Sequence, residues 1–429
     1  MILGRCGVSP LEGVARNEVR ARQYVVSPFC KNVDLVAKWN KRKKPNAALP
    51  KCKRRHNMEI IIYVGMDVHK DCYVVCCYDA NTDKFLYEKS MKATTANVLK
   101  YLASINKQLG GNVTFICGYE AGPTGFGLYR DLQKEGIACI VMAPTSIKHP
   151  ASYRSKNDWI DARMLAKTLF TKDYSAVTVA SEKEEAIKEF CRMRLSLKKQ
   201  LKTSKQVLLS FLLRMGKKYT DGTTYWTKKH REWLNRVSFD DVYLQESFEE
   251  YMLTLNSLES RIKKIERRLE EISQDSAIKH KVDRLVCFSG IDTVTAVSMA
   301  AEIGNFDRFR RSFDFVKNLG LVPGEWSSGG STNKLGITKA GNGYVRKLLI
   351  ESAKSIKNTS PKGKKSKRLE ERQKGMSSDV IAYADRCRYR LKSRMTHLEM
   401  KGKHPNVATV AAARELACFI WGMMTNNIA

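Results

Sequence analysis

Four acidic residues are spaced so that their carboxylates could share one metal site. Asp67 ends the apolar run EIIIYVGMD, and Glu120 ends a second apolar run, NVTFICGYE. Asp158 and Asp161 stand three residues apart in DWIDARMLAKTLF, so a helix would place them on one face. If the two strands lie centrally in one sheet, all four acids meet at one edge. Such carboxylates suit Mg²⁺, and two ions about 3.5–4 Å apart can assist phosphoryl transfer.

Each acid also has an ordinary explanation when it is taken singly. An acid at a strand end is usually only solvated, and DWID could simply begin a helix, where acids complement the helix dipole. His69 and Cys72 could in principle share a metal, but the cysteines contain no CxxC pair, and we expect buried, reduced thiols. The four acids therefore predict a magnesium site only as an ensemble.

Two serines stand on a bare turn in the sequence EWSSGG, at Ser327 and Ser328. Serine and glycine are common turn residues, so the short string alone predicts only a turn. A serine becomes a nucleophile when a base or a metal activates it, and this part of the chain contains no His/Asp relay. Lys334, Lys339, Arg346 and Lys347 follow closely and are candidate phosphate contacts.

The order of apolar runs predicts three regions after a basic extension. Residues 58–178 read as βββαβαβ, with the first three strands as an antiparallel meander. Residues 179–280 carry heptads typical of coiled-coil helices, which could fold back as a hairpin or pair across subunits, and we favour an oligomer. Residues 281–429 are mainly helical, and Gly290 and Ile291 resemble a helix-hairpin-helix turn. The predicted fold class is α/β plus α.

The charge of the chain indicates a nucleic-acid partner. Its 76 Lys and Arg outnumber 44 Asp and Glu, for a formal net charge of +32. We see no apolar run of the 18–20 or so residues that a membrane helix needs, and we expect a cytoplasmic protein. Residues 1–57 are basic and aperiodic. We interpret them as the product of an upstream start, with Met58 as the natural one, and a disordered nucleic-acid-binding arm as the alternative.

The order of the acids along the chain resembles the ribonuclease-H-like fold, specifically its RuvC-like branch. The motifs GMDVHKD, YEAGPTGFGLYRDL, KNDWIDARMLA and LGLVPGEWSSGGSTNKLGITKAGNGYVRKLLIESA look like those of the DEDD transposases of the insertion-sequence-110 family. These are bridge-RNA-guided serine recombinases of bacteria. The resemblance runs from about Met58 to the C-terminus.

The resemblance implies specific roles. Asp67, Glu120, Asp158 and Asp161 match the DEDD acids and would hold Mg²⁺, and Ser328, with Ser327 as runner-up, would attack DNA and form a phosphoserine link. It also implies a tetramer around a structured RNA that pairs with donor and target DNA, in the cytoplasm at the nucleoid. Acids of one protomer would act with the serine of another.

Two other functions fit parts of the sequence. A metal-only nuclease such as a junction resolvase needs the four acids and uses water as its nucleophile, with structural serines. A non-catalytic nucleic-acid-binding scaffold needs only the charge and the helices. The acids argue against the scaffold, and the context of EWSSGG argues against the resolvase.

Overall fold

The structure is a computed structural model, and it describes residues 60–147, 157–326, 333–358 and 364–428. The predictions for residues 1–57 lie outside these ranges. Residues Arg55–Ala429 form one compact unit, and the three predicted regions within it stay predictions.

Five strands form one mixed sheet in the order β3-β2-β1-β4-β5. The strands are β1 (Ile60–Val68), β2 (Cys72–Asp79), β3 (Lys84–Lys92), β4 (Val113–Glu120) and β5 (Ala138–Met142), and the accompanying helices are α1 (Thr95–Gln108), α2 (Gly127–Lys134) and α3 (Asp158–Thr171). The first three strands are antiparallel neighbours, whereas β1–β4 and β4–β5 are parallel. The predicted βββαβαβ order and the meander are confirmed.

The two faces of β1 are buried by different helices. Alternate residues Ile62, Val64 and Met66 face the apolar layer that contains α1 and α2. On the other face, a Cβ at Gly65 would lie 2.2 Å from the Ala162 carbonyl oxygen and the Ala166 amide nitrogen. Helix α3 therefore lies directly on the backbone of β1, which only a glycine allows.

Two long helices follow the sheet, α4 (Glu182–Arg214) and α6 (Val242–Ile272), joined by a segment that contains α5 (Lys228–Leu234). They fold back on each other within the chain through buried contacts at Leu197, Leu208, Leu255, Leu258 and Ile262. The hairpin alternative is therefore the one that the structure takes. Because α4 already covers the seam of α6 within the chain, this seam is not by itself a reason to expect an oligomer, and the oligomer stays a prediction.

The remaining residues are mainly helical and share one large core. The elements are α7 (Lys279–Leu285), α8 (Thr293–Ile303), α9 (Ser312–Asn318), β6 (Pro323–Glu325), β7 (Lys334–Ile337), α10 (Gly343–Lys357), α11 (Lys367–Gln373), α12 (Ser378–Met400) and α13 (Pro405–Met424). Ile187 of α4 and Leu269 of α6 also belong to this core, so the open end of the helical hairpin is anchored in it. A turn at Gly290, with φ of 85°, separates α7 from α8.

Helix α13 corrects the expectation that no apolar segment reaches membrane-spanning length. Its 20 residues are long and apolar enough to do so, and half of its most apolar window is buried. Ala412, Leu416 and Ile420 lie in the large core, where α13 packs on α10 and α12. This helix forms part of the protein interior. The nine cysteines in the described ranges are free thiols and seven are buried, as expected.

The contact between α3 and β1 gives a direct test. We expect Gly65→Ala to lower the free energy of unfolding by about 3 kcal/mol or more, because the new methyl group would meet the rigid backbone of α3 at Ala162 and Ala166. Thermal and denaturant unfolding would measure the loss. Gly127→Ala is the matched control, since a Cβ there meets nothing within 4 Å, and it should change stability by less than about 0.5 kcal/mol. Equal melting of the two variants would contradict the described contact.

Candidate active site

Strand β1 and helix α3 bring three of the predicted acids to one end of the sheet. Asp67 is the penultimate residue of β1, and Asp158 and Asp161 occupy the first turn of α3. The Asn157 side chain caps this helix by accepting a hydrogen bond from the Trp159 amide. The first-turn acids therefore also lie at the positive end of the helix dipole.

A histidine that the sequence analysis set aside completes this cluster. His69 Nε2 lies 3.1 Å from Asp67 Oδ2 and 3.8 Å from Asp158 Oδ1. One ligand atom from each of Asp67, His69 and Asp158 lies within 4.8 Å of the other two. The signal was present in GMDVHKD, where the histidine follows the acid by two residues in a tight β1–β2 connection. Its partners are these two acids, whereas the sequence analysis considered Cys72.

Glu120 lies at the end of the neighbouring strand, on the same face of the sheet. Strands β1 and β4 are paired in parallel through Met66 and Tyr119, so Asp67 and Glu120 each follow the last paired residue. Gly118, two residues before Glu120, faces Leu169 of α3, just as Gly65 faces this helix. Adjacent strands are about 4.8 Å apart. The pairing of β1 with β4 therefore places Glu120 beside the cluster. The short interatomic distances are those between Asp67, His69 and Asp158.

The pKa of Asp67 is raised above its usual value. Burial is the largest cause, the hydrogen bond and charge of His69 lower the pKa in part, and the negative charges of Asp158 and Asp161 raise it again. Only 18% of the Asp67 side chain is exposed. Crowded, partly desolvated carboxylates gain from a bound cation, so these residues fit a divalent metal. The carboxylate oxygens suit Mg²⁺, and the His69 nitrogen adds a donor that suits softer metals such as Mn²⁺ or Zn²⁺.

The two predicted nucleophiles, Ser327 and Ser328, lie outside the described residues, but the two strands that flank them are described. Strands β6 and β7 pair antiparallel, and the Trp326 amide donates to the Asn333 carbonyl at 2.9 Å. Residues 323–326 and 333–337 therefore lie side by side, and we call these two described stretches the serine hairpin.

Close backbone contacts connect the serine hairpin to the helices beside it. Gly320 and Gly341 have φ of 64° and 83°, and a Cβ at either would lie about 2 Å from a carbonyl oxygen, that of Ala340 and of Asn318 respectively. Asn342 then caps α10 by accepting from the Tyr344 and Val345 amides. The loop TKAGN therefore leads directly into helix α10.

A buried carboxylate fixes the start of α10 relative to α4. The Glu302 side chain is 1% exposed and accepts hydrogen bonds from Arg192 Nε at 2.8 Å and Asn342 Nδ2 at 3.0 Å. Lys188 Nζ lies 3.6 Å from Glu302 Oε2, the oxygen that also accepts from Asn342. A buried charge of this kind requires such partners, so the network holds three elements in register.

The four predicted phosphate contacts are distributed over this region. Lys339 and Arg346 both line a mainly apolar cavity of about 730 Å³ behind the serine hairpin. Arg346 also donates to the Leu319 carbonyl at 2.8 Å. Lys347 lies 3.7 Å from Glu351 in an exposed ion pair, and Lys334 begins β7 opposite Glu325. The structure thus brings Lys339 and Arg346 together, whereas Lys347 lies outside their cavity.

Comparison with known families defines the class of the protein. Residues 64–216 match the DEDD transposase family of the IS110 type, and residues 282–368 match the IS116/IS110/IS902 transposase family. The first match contains the acid cluster, and the second contains the serine hairpin. The protein is therefore a transposase, an enzyme that cuts and rejoins DNA.

Individual relatives support the same conclusion along most of the chain. Protein y4qE of Sinorhizobium fredii, named as a transposase, is 34% identical over 84% of this chain and 88% of its own. The transposase for insertion sequence element IS1533 of Leptospira borgpetersenii is 30% identical over 80% and 98%. The transposase for IS1111A of Coxiella burnetii is 27% identical over 78% and 89%. The chain belongs to the IS110 family of insertion-sequence transposases.

The raised pKa of Asp67 predicts a pH-dependent stability without metal. The folded state binds the Asp67 proton more tightly than the unfolded state, so this group stabilises the fold at low pH and loses that contribution as pH rises through its folded pKa. Asp67→Asn should therefore melt about 1–2 °C above wild type at pH 7 in chelator. The difference should vanish at acid pH, and calorimetry would measure it.

When metal is added, wild type should instead melt above Asp67→Asn. Mg²⁺ or Mn²⁺ should raise the melting temperature of wild type because the folded state binds the ion, and it should leave Asp67→Asn unchanged. Asp71→Asn, a nearby exposed acid outside the cluster, is the control and should respond like wild type. A full metal response in Asp67→Asn would contradict the assignment of this carboxylate.

Proposed function

We propose that this transposase is an RNA-guided recombinase that joins DNA to a serine of its own chain. The observation that carries the proposal is the cluster of Asp67, Asp158 and Asp161 at one end of the sheet, supported by the match of residues 64–216, which contain them, to the DEDD transposase family. The fold details that go with it are a coiled-coil pairing of α4 with α6, a ribonuclease-H-like sheet and a helix-hairpin-helix turn at Gly290.

Asp67, Glu120, Asp158 and Asp161 would hold Mg²⁺, with His69 as a further ligand or as a partner that orients Asp67. The bound ion supplies positive charge at a phosphodiester and lowers the pKa of a coordinated hydroxyl group. The chain itself provides the orientation. Asp67 is fixed by the strand, and Asp158 and Asp161 are fixed by the capped first turn of α3.

Ser328 is the proposed nucleophile, with Ser327 as runner-up. Its Oγ forms a bond to the scissile phosphorus while one phosphodiester P–O bond breaks. The hydroxyl proton passes to a nearby base, and the departing deoxyribose oxygen takes up a proton and leaves as a hydroxyl. The incoming DNA hydroxyl reverses these steps and frees the serine, so the energy of the phosphodiester is conserved in the phosphoserine link. The glycines that follow Ser328 permit close approach to a backbone phosphate.

The strongly basic chain would bind donor and target DNA together with a structured non-coding RNA. Base pairing by the RNA would choose the sequences, while Lys334, Lys339, Arg346 and Lys347 would contact phosphates and contribute a steep salt dependence. We infer a tetramer in which the acids of one protomer act with the serine of another, and a location at the bacterial nucleoid.

The test is a covalent-trapping assay. Protein, its flanking non-coding RNA, Mg²⁺ and a nicked DNA substrate labelled on one strand are separated on a denaturing gel. Wild type should give a DNA-linked protein band, and Ser328→Ala and Asp161→Ala should each reduce it by at least about 100-fold. Ser331→Ala removes a hydroxyl from the same segment and should leave the band intact.

The alternatives give different results in this assay. Loss of the band with Ser327→Ala alone would move the nucleophile by one residue. DNA cleavage without any protein-linked band in wild type would overturn the serine mechanism and favour a metal-dependent resolvase. A full DNA-linked band from Asp67→Ala and Asp161→Ala would overturn the metal site, whereas DNA binding with neither cleavage nor a linked band in wild type would favour a binding scaffold.

A further inference from the structure

The far end of the helical hairpin has no role in the function proposed above. We call residues 216–239 the hairpin tip. It begins at Gly216, where a φ of 70° ends α4, and it contains the short helix α5. Its sequence, GKKYTDGTTYWTKKHREWLNRVSF, combines basic and aromatic residues.

Aromatic rings fix the hairpin tip around a buried histidine. His230 is fully buried, and neither of its ring nitrogens has a hydrogen-bond partner among the residues that the structure describes. The ring of Tyr219 meets it edge-on at 4.8 Å, and the rings of Tyr225, Trp226 and Trp233 lie 5.1–5.5 Å away. Burial and the Arg231 charge lower the pKa of His230. A neutral imidazole thus serves as the centre of a rigid aromatic cluster.

One ring of this cluster, that of Trp233, lines a polar cavity. A space of about 400 Å³ is lined by Trp233 and by residues from both ends of the tip, namely Gly216, Lys217, Lys218, Asp221, Arg236, Val237 and Ser238. Arg236 Nη2 lies 2.6 Å from Asp221 Oδ2, so the one acid in the lining is already paired. Lys217 Nζ lies 5.0 Å from the centre of the Phe239 ring, and both lysines are exposed.

The lining has a net positive charge of two, from three cations and one acid. An indole ring in the wall offers a flat apolar surface, and the Ser238 hydroxyl offers a hydrogen bond. Cations that track a phosphate backbone, together with an aromatic ring that stacks on a base, are the usual means of binding a single nucleic-acid strand. The cavity volume is within the range that small ligands of nucleotide size occupy.

We propose that the hairpin tip is a second nucleic-acid contact, which binds an unpaired nucleotide with its phosphate at Lys217 and Lys218 and its base against Trp233. The rigid cluster around His230 holds Trp233 in place before binding, so little side-chain freedom is lost on contact. This proposal rests on nucleic acid being the partner, but it needs neither the metal site nor the serine.

Fluorescence anisotropy with the full chain tests the site. The probe is a fluorescein-labelled 20-nucleotide single-stranded RNA of mixed sequence, with DNA of the same sequence and its duplex as comparisons. Lys217→Gln with Lys218→Gln should weaken binding of the single strands about tenfold near 150 mM salt and lower the slope of log K against log salt by about 1.4. Lys263→Gln with Lys264→Gln removes the same charge from exposed positions in the middle of α6 and should bind like wild type.

A second readout locates the base. A 5-bromouridine-substituted version of the RNA should photocrosslink to the tryptic peptide that contains Trp233 in wild type, and this crosslink should fall in the Lys217 and Lys218 variant. Both measurements are made in an Asp161→Ala background, so failure of the metal or serine mechanism does not affect them.

Three results would overturn the proposal. The tip variant could bind the probe as tightly as the α6 variant, the crosslinks could fall elsewhere in the chain, or polyglutamate of equal charge could compete with the RNA equally well. The last result would identify the tip as a site for an acidic polypeptide.

Discussion

The close approach of helix α3 to strand β1 is the constraint on which the candidate active site depends. Gly65 leaves no Cβ between the strand and the backbone at Ala162 and Ala166. Because this contact fixes α3, the first turn of the helix ends where the strand ends, and Asp158 is within reach of Asp67 and His69. The same contact forces carboxylates together in a partly desolvated place, which is costly unless a cation neutralises them. The packing of α3 on the sheet is therefore also what makes a bound cation favourable at this place.

The region that carries the serines depends on a different kind of constraint. Positive-φ glycines at Gly320 and Gly341 let the chain cross close to other backbone, and the buried Glu302 carboxylate connects α8, α4 and the cap of α10. A buried carboxylate with three nitrogen partners is expensive to disturb, so the base of the serine hairpin has a defined position. A nucleophile on a short segment needs such a base, since positioning contributes much of the rate in phosphoryl transfer.

Much of this structure could be predicted from local patterns. Alternating and continuous apolar runs gave the strand order and the acids at strand ends, and three-residue spacing put Asp158 and Asp161 on one turn. The remainder depended on contacts between distant residues. No local pattern in the sequence predicts that Gly65 contacts Ala162 or that His69 contacts Asp158. A heptad pattern is also the same whether the helix packs on another chain or, as here, on α4. The sequence also did not predict that His230 is buried, because a histidine among aromatic residues can lie in the protein interior or on the surface. The length of the apolar helix α13 was missed because each of its many alanines is only weakly apolar. The helix is apolar enough to span a membrane only when its residues are averaged over the whole length.

The proposed chemistry depends on these acids binding a divalent cation, and crystallography tests that binding directly. Crystals of the protein soaked in Mn²⁺ would be measured at a wavelength where manganese scatters anomalously. We expect an anomalous peak about 2 Å from carboxylate oxygens of Asp67 and Asp158, and we expect it to be lost in crystals of Asp67→Asn. Crystals with no peak at this place, from protein that still cuts DNA in Mn²⁺, would contradict it.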